Sequence, residues 1–551
     1  MSSTIETLPP AAKRPGWWLD ALLVLVLFLC AVPVRYGHTQ GDLWQDEAEY
    51  ALASVHSFTD HRWDRSNVAG DPERLVRLRH FHAPMTAYAL RLAQIGNKDD
   101  RVLRIPFVLA GSLVVCLVYL CGLMLYAGRR DISLTCAAIV LVTPLQIRAG
   151  SHAIPWALIS LGLMGVLYTL LGYVRTGKTG WLIGTCGMMG WLFCTSESFF
   201  PIGLAVAFSL PFVIGPDVKT ATGRRALLRA LGVGAGLFAV IVFVFWPAGV
   251  VGGAWRNIQH YAHISEASVS AQVGGVMRSP VPKWAYLYWY SHDYRPYFAL
   301  YLLGAATLLV QIGRRKLSRG AGVLLVLTIV EVIVAHTAIQ LGPQYLAHCL
   351  PLLTLMTGFC FLFFLTLSDV RIPANVARLV PGAGMVSMAV LVAYLAHWQV
   401  RPELRVTDEE ASVSRWPDAS RFLAACWQAD DRLLIGPQPT VVPRWYLLHV
   451  RGLPATETQI GEMPQGRTRT GGLLRMAKGA IHYVIVNSTF EGDPAIDPVV
   501  HKMLTTWPVV YRSRERDDAL PRLVIYERPP GVDVAHPLPI PNPVLNPIPK
   551  G

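Results

Sequence analysis

The sequence predicts an α-helical polytopic membrane protein of about eleven transmembrane helices, with amphipathic helices in its first external loop and a soluble α/β domain near its C-terminus. Three observations carry this expectation. Of the 551 residues, 53% are hydrophobic and only 15% charged, where a soluble chain carries about a quarter charged. Apolar runs long enough to cross a bilayer recur along the first 400 residues. Lys and Arg gather in alternate short loops between those runs.

The runs fall near 19–34, 102–127, 132–147, 154–174, 181–195, 199–215, 230–251, 297–312, 321–341, 345–367 and 379–398. The first is followed by Tyr36-Gly37-His38 without a small-x-small cleavage site, so an uncleaved span is expected. Lys13 and Arg14, Arg129 and Arg130, Arg175 and Lys178, Arg224 and Arg225, Arg314 to Arg319, and Arg371 and Arg378 then share one face. The opposite short connections at 148–153, 196–198 and 342–344 carry only Arg148. Positive charge stays inside, which puts the N-terminus in the cytoplasm and the C-terminal region outside the plasma (inner) membrane. Eight of the nine cysteines lie in apolar runs and only Cys426 lies beyond them, which excludes a disulfide framework. Gly232, Gly234 and Gly236 form a Gly-x-Gly-x-Gly inside an apolar run, where close helix packing is the expected role.

The expected domains are a transmembrane domain over 1–398, including the external loop 35–101, a soluble domain over 399–528, and a Pro-rich disordered tail over 529–551. The soluble domain is read from a helical stretch, "PDASRFLAACWQADDR", and β-rich runs "RLLIG", "HYVIVN" and "RLVIYE". In loop 35–101, Ala48, Leu52, Val55 and Phe58 recur at helical spacing, as do Met85, Tyr88, Ala89 and Leu92. Both segments read as amphipathic helices at the membrane interface.

Within that loop stands "GDLWQDEAEYALASVHSF", with adjacent carboxylates Asp46 and Glu47. Asp46 and Glu49 match a helix capping box. Capping accounts neither for Trp44 nor for the basic residues from Arg62 to Arg101. A partly desolvated interfacial carboxylate gains proton affinity and suits a general base.

From here the chain resembles a known family. "WQDEAEYALASVHSF" is similar to the first external loop of GT-C membrane glycosyltransferases, in the branch of the protein O-mannosyltransferases and lipid A aminoarabinose transferases. "FHAPMTAYALRL", the Arg-x-Pro span beginning "DDRVLRIPFVLAG", and "GPQYLAHCLPLLTLMTGF" follow in the family's order, with the convincing match over roughly 40–175 and echoes to 367. Two places depart from its pattern. Trp156 stands where relatives often have an Asp, and the double proline is reduced to Ala83-Pro84.

The resemblance implies transfer of a sugar from a polyprenyl-phosphate carrier to a lipid, glycan or protein acceptor on the extracytoplasmic face, with inversion. Asp46 matches the family's catalytic carboxylate and Glu47 its acidic neighbour. His82 aligns with the basic residue before the proline, and Arg101, Arg104 and Arg148 at outer span ends join it as candidate donor-phosphate ligands. For a single interfacial Arg, snorkelling to the head groups is the competing role.

Glu331, His336, Tyr345 and His348 are the candidates for an acceptor cavity, because ionisable groups inside a membrane tend to be functional. Pairing of these groups with one another is the plainer role. No cofactor is required; His260 and His263 are weak candidates for a divalent metal, which is not favoured. The expected partners are the carrier lipid, the acceptor and membrane lipids, with no nucleic acid. The alternative is a transporter or flippase of lipid-linked sugars without transferase activity. Transporters show internal repeats and midplane charge, whereas here no repeat is visible and the charges gather in one loop.

Overall fold

The computed structural model describes residues 16–39, 43, 45–55, 83–95, 98–196, 199–214, 220–246, 271–273, 276–278, 294–314, 316–337, 346–368, 386–387, 389–397, 416–435, 441–453, 459–462, 481–487, 498–512 and 523–530. The chain forms two compact units. The first comprises Met1–Gln40, Ser54–Trp63 and His80–Val406, the second Gly41–Ala53, Asp64–Arg79 and Thr407–Gly551.

The first unit is built of helices: α1 (Trp17–Gly37), then, after the second unit's α2 (Gln45–Ser54), α3 (Met85–Gln94), α4 (Asp100–Leu125), α5 (Arg130–Val142), α6 (Pro144–Ser151), α7 (Trp156–Thr176), α8 (Gly180–Phe193), α9 (Phe199–Val213), α10 (Ala221–Phe245), α11 (Arg295–Gly313), α12 (Arg319–Thr337) and α13 (Leu350–Ser368). A short antiparallel pair, β1 (Ala271–Val273) and β2 (Val276–Arg278), lies between α10 and α11. Each apolar run read from the sequence contains helical residues among those described, the last at 386–387 and 389–397. Among the described residues, five helices are long and apolar enough to cross a membrane alone, or six when a bent pair is taken as one span.

Local chemistry sets the helix ends. The Asp99 side chain accepts the Arg101 N–H at 2.8 Å and starts α4. Thr220 caps α10 through the N–H of Gly223 at 3.0 Å. Gly177 closes α7 with φ +66, a left-handed turn that costs glycine little. The expected single span at 132–147 is instead two helices, α5 and α6, bent by 64° at Thr143. Pro144 disfavours helical backbone at the residue before it and leaves Thr143 extended.

The core of this unit lies where α4, α5, α7, α12 and α13 pack, and includes Val115, Tyr119, Ile132, Leu163, Leu324 and Leu355. The Tyr126 hydroxyl donates to the Leu355 carbonyl across it. At Gly304 the backbones of α11 and α13 approach so closely that a Cβ would lie 2.7 Å from the Met356 carbonyl carbon. Of the three glycines in the α10 motif, only Gly234 is in close contact, its added Cβ falling 2.6 Å from Cys186 Sγ. At one end of the unit four charges pair off. Arg130 Nε donates to Asp20 Oδ1 at 2.6 Å, Tyr119 donates to the same oxygen at 2.9 Å, and Arg129 Nη2 meets Asp131 Oδ2 at 2.7 Å.

Helix α3 is wedged rather than laid on a surface. Its first N–H, from Met85, donates to the Cys194 carbonyl at 2.9 Å, and the Tyr88 hydroxyl donates to the Phe245 carbonyl at 3.3 Å. Gln94 donates to Ser54 Oγ at 2.5 Å. Thr86, Ala87 and Leu90 are therefore buried along with Met85 and Tyr88, while Leu92, expected on the packed face, is 61% exposed.

The second unit holds α2 and a five-stranded sheet. Its strands are β3 (Leu433–Ile435), β4 (Ile460–Glu462), β5 (Tyr483–Asn487), β6 (Val509–Arg512) and β7 (Leu523–Glu527), in the order β4-β3-β5-β7-β6. β3 pairs in parallel with β4 and β5; β7 pairs antiparallel with β5 and with β6, where the register shifts between Val509 and Tyr511. The three strands read from the sequence are β3, β5 and β7, all apolar enough for a sheet interior. Helices α14 (Trp416–Cys426), α15 (Val441–Arg444, continued as a wider π-helical turn to Val450) and α16 (Pro498–Thr506) accompany them. Leu434, Val484, Val486, Trp507 and Val524 fill the sheet's core. All nine cysteines are free. The Pro-rich segment from residue 531 lies outside the described residues.

Candidate functional site

The acidic pair sits at the start of α2. The helix begins at Gln45, so Asp46 lies inside its first turn rather than ahead of it as a cap. Carboxylates there oppose the positive end of the helix dipole. Asp46 is half-buried and Glu47 fully buried. Ala48, Ala51 and Leu52 turn the same helix into its packing and are buried. Two residues before α2, the Leu43 N–H donates to the Tyr446 hydroxyl at 2.8 Å. Tyr446 is itself buried, on the π-helical turn that follows α15. The acidic segment and the C-terminal residues thus fold as parts of one unit. Tyr446 was not foreseen, because a contact spanning 403 positions leaves no local pattern.

The basic candidates of the first unit differ in their surroundings. Arg101 is exposed at the second position of α4. Arg104, one turn on, is buried, and its Nη1 donates to the Thr39 carbonyl at 2.8 Å. Arg148 is half-buried in the last turn of α6. Its carbonyl lies 2.9 Å from Nδ1 of the buried His152.

A further cation, Arg35, stands in the last turn of α1 with 0% exposure. Its Nη1 reaches the Ala31 carbonyl at 3.4 Å, while Nε and Nη2 are buried without a hydrogen-bond partner among the described residues. Two glycines make room for it. A Cβ at Gly111 of α4 would lie 2.9 Å from Arg35 Nε, and one at Gly150 of α6 would lie 2.7 Å from it. The same Gly111 Cβ would lie 2.9 Å from the Gly150 Cα, so the two backbones cross at van der Waals contact beside the guanidinium. An arginine at the end of an apolar run reads in sequence as a snorkelling residue. Only the two distant glycines reveal that it is enclosed.

Of the cavity candidates, Glu331 on α12 and His348 just ahead of α13 come together, with Glu331 Oε2 3.3 Å from His348 Nε2. Both are buried. His336 lies on the last turn of α12, and its side chain is outside the described residues, as are His82, Tyr345, His260 and His263 altogether.

No family model and no curated protein matches the sequence. Solved structures do match in fold. ArnT from Cupriavidus metallidurans in the apo state is similar at a TM-score of 0.56 and 14% identity, over 94% of this chain and 98% of that one. The same protein bound to undecaprenyl phosphate gives 0.55 and 14%, over 93% and 98%. The Archaeoglobus fulgidus oligosaccharyltransferase in complex with Zn and sulfate gives 0.51 and 13%, over 85% and 68%. The chain therefore has the GT-C fold along nearly its whole length, as the four sequence segments imply.

Proposed function

We propose that the protein is an integral membrane glycosyltransferase that moves a sugar from a polyprenyl-phosphate carrier to a lipid, glycan or protein acceptor on the extracytoplasmic face. The observation that carries this reading is the whole-length likeness to an ArnT structure holding undecaprenyl phosphate. The acidic segment and its half-buried Asp46 support it from the chain's own residues. The reading includes eleven spans over 1–398 with the N-terminus in the cytoplasm, an extracytoplasmic α/β domain over 399–528 and a Pro-rich tail over 529–551.

Asp46 acts as the general base. It takes the proton of the acceptor hydroxyl as that oxygen forms its bond to the anomeric carbon. The bond from that carbon to the phosphate oxygen breaks on the opposite face, its electron pair leaves with the lipid phosphate, and the configuration inverts. Glu47 supports the segment as its acidic neighbour. His82, Arg101, Arg104 and Arg148 neutralise the phosphate as charge returns to it, a task suited to guanidinium groups that stay charged in low dielectric. Arg35, enclosed and with two nitrogens that lack a hydrogen-bond partner among the described residues, contributes a fixed positive field to the same end.

The test is Asp46→Asn in proteoliposomes supplied with a radiolabelled sugar carrier lipid. Transfer is expected to fall by about 10²–10⁴-fold, the span of one general base, with carrier binding retained. Unchanged transfer would overturn the reading. So would carrier movement across the bilayer without transfer, in favour of a flippase.

A further inference from the structure

The pair formed by Glu331 and His348 has a third member. Cys349 follows His348, and one ligand-type atom from each of the three residues, a carboxylate oxygen, a ring nitrogen and the thiol sulfur, lie within 4.8 Å of one another. All three residues are buried. The Cys349 side chain belongs to an apolar cluster with Ile139, Tyr297 and Leu350. The turn carrying His348 and Cys349 is held by Gln146 of α6, whose side-chain amide donates to the Ala347 carbonyl.

The three groups do not satisfy one another. Among the described residues, both carboxylate oxygens of Glu331 are buried without a hydrogen-bond partner, and so is Nδ1 of His348. Glu331 Oε2 and His348 Nε2 are 3.3 Å apart yet lack hydrogen-bond geometry. Buried polar atoms left in this way are rare in native structures. Two atoms that face a common point give this arrangement. For metal–ligand bonds of about 2.0–2.1 Å, tetrahedral geometry separates an oxygen and a nitrogen ligand by about 3.3–3.4 Å.

From this geometry we infer that Glu331, His348 and Cys349 form a metal site for zinc or a similar borderline divalent ion. A thiolate, an imidazole and a carboxylate are each good zinc ligands, and this mixture disfavours magnesium and calcium, which select oxygen. Charge balance argues the same way. A carboxylate and a thiolate together carry two negative charges, which a divalent ion cancels inside a medium that tolerates no net charge. The ion ties α12 to the turn before α13, and a non-protein ligand takes the fourth position. This site stands apart from the transferase reading, which requires no metal.

The test uses the full-length chain in detergent, stripped of metal and titrated with Co²⁺, whose bond to a thiolate gives an ultraviolet charge-transfer band. One equivalent is expected to bind with that band, and Zn²⁺ to displace it. Cys349→Ser removes the band, Glu331→Gln weakens binding at least tenfold, and Cys360→Ser, a buried cysteine of α13 outside the triad, changes neither. Absence of the band in the parent protein, or its persistence in Cys349→Ser, overturns the site. Should Cys349→Ser fail to fold, X-ray absorption of the zinc-loaded parent protein decides. One sulfur in the first shell supports the site, and none overturns it.

Discussion

The two ends of the first unit treat charge in opposite ways. At the turn between α4 and α5, Asp20 receives both Arg130 and Tyr119, and Arg129 grips Asp131. These bonds close a loop against the first helix and give each of these four charges a partner. At the other end, Arg35 keeps two nitrogens without acceptors among the described residues, and Glu331, 3.3 Å from His348, keeps two oxygens without a hydrogen bond among them. A fold gains nothing from enclosing an unmatched ion, since desolvation outweighs what packing returns. Matched charge at one end reads as structure, and unmatched charge at the other as preparation for something that binds.

Arg35→Met breaks this contrast most directly. If the guanidinium serves a ligand, its loss leaves the empty protein as stable or more stable by about 1–4 kcal/mol. Transfer and carrier affinity should nonetheless fall at least tenfold, about 1.4 kcal/mol. Thermal melts with and without carrier lipid separate the two effects, and a variant that simply unfolds would make Arg35 structural. Asp20→Ala should do the reverse. It strands Arg130 and Tyr119 and lowers the melting temperature, by less than loss of a fully buried pair would because Arg130 is partly exposed. Turnover per folded molecule stays unchanged in an assay corrected for folded fraction.

The second unit sharpens the comparison. Tyr446→Phe removes the acceptor of the Leu43 N–H and leaves that buried donor unsatisfied, at about 1–3 kcal/mol. Because the loss falls two residues ahead of α2, kcat should drop while carrier binding holds. Equal kcat would show that the hydrogen bond does not position the acidic turn.

The smallest effect belongs to Asp131. Burial raises its carboxyl, but the Arg129 guanidinium and the Ile132 N–H outweigh that and hold it below the usual carboxylate range. Its contribution to stability is therefore present above the unfolded value near pH 4 and lost as pH falls through the lower folded value. Arg129→Ala should cost about 0.5 kcal/mol at neutral pH. It should also flatten the acid limb of the stability curve.

Helices were the most legible part of the chain, since an apolar run in a chain this poor in charge has little other fate. The break at Thr143 was readable in principle from Pro144 but was absorbed into one long run. Strands β3, β5 and β7 announced themselves by composition. β4, with its Ile-Gly-Glu, and β6 did not, because their neighbours in the sheet define them. The acidic segment was legible as a motif, but its seat was not. Arg35 drew no attention in the sequence, because its enclosure depends on Gly111 and Gly150 being brought beside it. Cys349 looked like one more apolar residue until α12 delivered Glu331. In each case the missing information was a partner far along the chain, which spacing within one segment does not encode.

The bond from Leu43 to Tyr446 also sets an order of assembly during biosynthesis. The ribosome reaches Tyr446 403 codons after Leu43, the residue just ahead of the acidic turn. A nascent or prematurely terminated chain can thread its early helices but lacks the hydroxyl that holds Leu43 just ahead of the two carboxylates.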